Sequence, residues 1–235
     1  MDNDTFLTLL ALAAVAIVAG AIYRKQRGKR IRAERAAYIQ KYTFPAELRN
    51  RLQRNHDLSL EGSGRVLEGL RQYFLACLAA QRSPLAKEVG MPSKAVDAAW
   101  HEFIVLTKEY ASFCEKAFGR YLHHTPQAMM SEPTSASLAN TLHQLKGQSL
   151  TPAGWAMVGS VPLIFAIDRE LGFKGGHMYD ESAIHTLESQ RQSLIASAGS
   201  GDPGYAGSWG GGGDTGGSDG GGGSCGGGGG CGGSS

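Results

Sequence analysis

The chain has 235 residues, of which 42% are apolar and 19% charged, with a formal net charge of +2. That is enough apolar residue for one ordinary core, and too little positive charge outside one short segment for a nucleic-acid-binding body. The segment is the run Arg24, Lys25, Arg27, Lys29, Arg30, Arg32 and Arg35, opposed only by Glu34; without it the remainder is mildly acidic, so no nucleic-acid partner is expected.

From the N-terminus, Phe6 to Tyr23 is an uncharged stretch of eighteen residues, about 27 Å long as a helix, and it predicts a transmembrane anchor over residues 1–23. Ala19-Gly20-Ala21 has the small-x-small form of a signal-peptide cleavage site. Against cleavage, Asp2 and Asp4 precede the apolar run and the basic residues follow it, the charge order of an uncleaved single-pass anchor with its N-terminus outside and its body in the cytoplasm. The expected location is therefore the cell membrane. Residues 24–35 form a basic juxtamembrane segment that suits anionic lipid headgroups, so lipid is one expected partner and a protein the other.

Residues 36–196 read as a single all-α domain, because no run of alternating β-branched residues is long enough for a strand. Pro45 opens a helix over residues 45–55. Leu67, Leu70, Phe74, Cys77 and Leu78 recur at helical spacing and predict an amphipathic helix from Gly64 to Gln81. After a Pro- and Gly-punctuated linker from Ser83 to Pro92, Ser93 is positioned to cap a long helix from Lys94 to Phe118 that Gly119 stops. Trp100, Ile104, Thr107, Ala111, Cys114 and Phe118 form one stripe on it, widened by Phe103, Leu106, Tyr110 and Phe113; Glu102, Glu109, Ser112 and Lys116 mark a solvent edge. Weaker helices follow over Ser135 to Lys146 and Val161 to Leu171, the latter with Pro162 in its first turn.

The residues able to do chemistry concentrate in the long helix and just beyond it: Asp97, Trp100-His101, Thr107, Tyr110, Phe113-Cys114, Gly119 and His123-His124-Thr125-Pro126. The pattern D-x-x-W-H-x-F-I-x-x-T-x-x-Y-x-x-F-C-x-x-x-x-G-x-x-x-H-H-x-P resembles the core signature of the glycine-rich domain proteins, a family known from plants and, in shorter membrane-associated form, from bacteria. Pro162 to Asp168 with Leu171-Gly172 and Gly175-Gly176 is similar to a second block of the bacterial members. The resemblance implies a helical domain and a glycine-rich tail, and no defined activity; Trp100, Thr107, Tyr110, Phe113, Gly119 and Pro126 are its structural signature.

Asp97 and His101 stand four residues apart, neighbours on one helix face, so the carboxylate can orient the imidazole. On a straight helix Cys114 lies about 20 Å further along. One metal site therefore needs His123 or His124 to fold back from beyond Gly119, giving either His101 with His124 or Cys114 with His123, together with a ligand from another helix; zinc or iron is the ion such donors suit. The competing reading makes all these groups core architecture, with Cys114 buried as free cysteines commonly are. No H-E-x-x-H, phosphate-loop or C-x-x-C pattern is present, and Asp168 and Glu170, two residues apart, point to different helix faces.

From 197 to 235 the chain is dominated by glycine with Ser, Asp, Cys225 and Cys231, a composition that predicts a disordered tail. Three functional readings stand at this point: a membrane-anchored interaction module, a metal- or small-ligand-binding protein using Asp97, His101, Cys114, His123 and His124, and a tail modified at Ser224-Cys225, which resembles the glycine-embedded Ser-Cys sites of thiazole- and oxazole-bearing bacterial peptides.

Overall fold

The computed structural model describes residues 3–81, 88–125, 134–146 and 157–199, with Met1–Gly199 forming one compact unit. Pro126, Ser224, Cys225 and Cys231, and with them the expectations for the tail beyond Gly199, lie outside the described residues.

The elements run α1 (Asn3–Lys41), α2 (Ala46–His56), α3 (Leu60–Ala80), α4 (Lys94–Val105), α5 (Thr107–Phe118), α6 (Thr134–Lys146), β1 (Met157–Val158), β2 (Val161–Pro162), α7 (Leu163–Leu171) and α8 (Glu181–Gly199). The all-α reading holds apart from the ribbon β1–β2, where Met157 pairs with Pro162 and Val158 with Val161. Its two-residue turn places Gly159 at φ +61°, a conformation that costs glycine nothing.

Helix α3 is the hub. Thirteen of its twenty-one residues are buried, so it packs against α1, α2, α4, α6 and α7. Ser59 caps it by accepting from the Gly62 amide, which starts it earlier than Gly64. Gly69 lets α4 come close: a Cβ there would stand 2.8 Å from Val96 Cγ2. The core collects the aromatic rings of Tyr73, Phe74, Trp100, Phe103, Tyr110 and Phe113.

Two expectations are corrected here. Among the described residues no helix is long and apolar enough to cross a membrane. This overturns the single-pass anchor over Phe6 to Tyr23, the cell-membrane location and the topology deduced from them. Beyond the basic run, the last turns of α1 face the core, with Ile39 buried and Tyr38, like Tyr42 just after the helix, packed at a tilt against Phe113.

The second correction concerns the helix expected from Lys94 to Phe118, which is two helices. Leu106, at φ −81° and ψ 65°, adopts an inverse γ-turn geometry and breaks it. A straight helix would hold Trp100 and Tyr110 about 15 Å apart; with the break, Trp100 Nε1 donates to Tyr110 Oη at 2.9 Å. The break also changes the buried face: Thr107 and Ala111 are exposed, whereas Glu102 is half-buried.

Helix α8 has no counterpart among the sequence expectations and carries the domain past residue 196. Asp180 caps it, accepting from Ala183 N at 2.8 Å; the helix packs on α6, and Ile184 and Leu187 are buried.

Candidate metal centre

Helix α4 sets the geometry. Ser93 caps it, accepting from Val96 N at 3.0 Å, which places Asp97 in the first turn and His101 one turn later on the same face. His101 Nδ1 lies 2.8 Å from the Asp97 carbonyl oxygen. A carbonyl only accepts, so Nδ1 carries the proton and Nε2 keeps a lone pair.

The return of the chain is decided at Gly119. It ends α5 at φ +69°, and a Cβ there would lie 2.1 Å from an Arg35 guanidinium nitrogen. The segment after it comes back along α4, tied by the hydrogen bond from Tyr110 Oη to the Leu122 carbonyl at 2.6 Å. His124 then meets Asp97, with Nε2 2.9 Å from Oδ1. Its ring stands 4.4 Å from the indole of Trp100 and 4.3 Å from the ring of His101, centroid to centroid. One donor atom from each of Asp97, His101 and His124 lies within 4.8 Å of the other two.

The other two residues expected at such a site are elsewhere. His123, adjacent to His124, is exposed and faces Tyr121 at 4.9 Å; it lines a separate cavity of about 330 Å³ with Cys77 and Arg120. Cys114 is fully buried, and burial pushes its thiol above the ordinary value, against hydrogen bonds with Leu122 and Tyr110 that lower it. A protonated, buried thiol is core material and a poor ligand. Of the two metal sets left open by the sequence, the fold assembles the one containing His101 and His124, and its carboxylate comes from α4 itself rather than another helix.

A cavity of about 380 Å³ opens beside the three. Met91, Trp100 and Leu138 give it apolar walls, and Lys94, His177 and Tyr179 polar ones.

Asp168 holds the frame of this site. It is 1% exposed and accepts four hydrogen bonds: from Ser93 Oγ at 2.6 Å, Lys94 N at 2.8 Å, Ala95 N at 3.0 Å and His177 N at 2.9 Å. One carboxylate thus caps α4 and straps the loop after α7 across it. Gly176 is required in that strap, because a Cβ would stand 2.6 Å from Asp168 Cβ. Glu170, as its position two residues on implies, faces outward and takes a two-point ion pair from Arg65 at 2.9 and 2.7 Å. His177 carried no spacing signal; only the strap brings it to the cavity.

A family model described as UCP032817-like matches residues 34–198, so the chain belongs to the UCP032817-like family. No curated protein and no solved structure matches it.

Proposed function

We propose that this UCP032817-like domain binds a divalent transition metal at Asp97, His101 and His124 and presents it to the adjoining cavity. The observation that carries the reading is the mutual approach of three donor atoms within 4.8 Å, from residues separated by up to 27 positions. Two imidazoles and a carboxylate form a borderline donor set that suits zinc or iron. The hydrogen bond between His124 Nε2 and Asp97 Oδ1 occupies the place the ion would take, so loading replaces that bond with two coordinate bonds.

The test is thermal unfolding of the full chain with and without Zn²⁺. An ion that binds only the folded state stabilises it by about 2.7 kcal/mol at a hundredfold excess over Kd. His101→Gln and His124→Gln should lose that shift, whereas His123→Gln should keep it. A wild-type protein that shows no shift with any first-row divalent metal refutes the proposal.

A second reading, an interaction module, is favoured by one separate observation. In α1 the side chains of Leu12, Val15, Ile17, Val18, Ile22 and Tyr23 are all at least half exposed, an apolar surface that a protein partner can cover. The resemblance to the glycine-rich domain proteins agrees with either reading. Sedimentation of the wild type against an Ile17→Glu, Val18→Glu double variant decides it: identical monomeric behaviour and identical partner capture would sink it.

A further inference from the structure

We propose that the cavity beside the Asp97, His101 and His124 cluster is a site for a small monocarboxylate with an apolar body, held with its carboxylate on the metal. The inference rests on the metal reading above. Tetrahedral zinc takes four ligands and the cluster supplies three, and all three residues line the same cavity, so the remaining position opens into it.

Charge selects an anion. A divalent ion with one carboxylate and two neutral imidazoles keeps one positive charge. Among the described residues no carboxylate besides Asp97 lines the cavity, and apart from the two ligand imidazoles the ionisable groups on its wall are Lys94, His177, Tyr73 and Tyr179. The backbone of α4 adds nothing to this, because its first amides, Lys94 N and Ala95 N, are taken by Asp168. The groups that can meet an anion are instead side chains at fixed points of the rim: the Lys94 ammonium at the first residue of α4, and the His177 imidazole on the strapped loop, its amide 2.9 Å from Asp168 Oδ2. The His177 imidazole has no hydrogen-bond partner among the described residues, which leaves it available to a ligand oxygen.

Shape selects the body. A volume of about 380 Å³ lies at the small end of ligand pockets and gives room for a compact acid. Met91, Trp100 and Leu138 would face the part of the ligand away from the ion, and a bare oxyanion leaves them uncovered.

The experiment uses the full chain loaded with Co²⁺, whose visible bands report coordination, and benzoate as the probe. Benzoate should shift the bands saturably, acetate should bind about tenfold more weakly for want of apolar burial, and benzylamine should leave the bands unchanged. Lys94→Gln and His177→Gln should each weaken benzoate about tenfold, the value of a hydrogen bond to a charged group, while Co²⁺ affinity stays the same. The inference is overturned if benzoate leaves the bands unmoved, if acetate or inorganic phosphate binds as well as benzoate, or if both variants bind benzoate like the wild type. Absence of Co²⁺ bands in the wild type is a different outcome: it refutes the metal reading and removes this inference with it.

Discussion

Replacing Asp168 by alanine should cost more than almost any other single change outside the aromatic core. Four donors converge on its carboxylate, and two of the bonds, from Ser93 Oγ and Ala95 N, are fully buried. At about 1–3 kcal/mol for each buried donor left without an acceptor, those two alone come to about 2–6 kcal/mol. Loss of the negative charge at the start of α4 adds about 0.3–1 kcal/mol. We expect about 4 kcal/mol in all, a large share of the ~5–15 kcal/mol by which domains of this kind are stable. Asp168→Asn keeps one carbonyl acceptor but turns an amide donor toward either the Ser93 and Ala95 side or the Lys94 and His177 side, and should cost about half as much. Gly176→Ala, which forces a Cβ to within 2.6 Å of Asp168 Cβ, should cost about 1–3 kcal/mol by overpacking. Urea unfolding of the full chain, followed by tryptophan fluorescence and circular dichroism, gives each difference from the midpoint at constant slope. If Asp168→Ala unfolds within about 1 kcal/mol of the wild type, the carboxylate does not hold these donors and the account of the strap is wrong.

Trp100 makes a second test: Trp100→Ala should destabilise by about 3–5 kcal/mol, and Trp100→Phe, which preserves most packing but removes the donor to Tyr110 Oη, by about 1 kcal/mol; an unchanged melting temperature for the alanine variant would place the indole outside the core. Glu102 gives a pH prediction. Burial pushes its carboxyl up, but hydrogen bonds from Asn55 and Arg51 and the Arg51 charge outweigh that and hold it below the usual value. A carboxyl whose folded pKa is depressed contributes stability above its unfolded value, near 4.3, and loses it as pH falls through the folded one. Glu102→Gln should therefore be less stable than the wild type at pH 7 and converge with it in acid; a gap independent of pH would contradict the assignment.

Helix positions are largely legible because apolar residues recur at helical spacing, as Leu48 and Leu52 do on α2; on α3, α6 and α7 the enclosed surface is wider than one face, with Leu163 to Asp168 all buried. The break at Leu106 was not. No glycine or proline marks it, and apolar residues on both sides continue the helical spacing; the chain turns there because Phe103 and Tyr110 must reach the same core from two directions. Helix α8 was missed for the opposite reason, since only Ile184 and Leu187 are buried on it among the described residues and its cap, Asp180, is one polar residue among several. The spacing of Asp168 and Glu170 places them on different helix faces but cannot show the partners of Asp168, because Ser93, Lys94 and Ala95 lie more than seventy positions away.

What the sequence determined by itself is local: the helical repeat, Ser93 as a cap, Gly119 as a stop with a left-handed φ, and Asp97 beside His101 on one face. Each follows from the geometry of a single turn. Only the tertiary structure decided which of these side chains come together, because His123 and His124 are chemically identical neighbours and the direction of the chain after Gly119 determines which one meets Asp97. It likewise decided the fate of Cys114, which the core encloses, and of His177, which a buried carboxylate ties to the cavity. These outcomes depend on distances between residues remote in the chain, and such distances are fixed by packing all the helices at once.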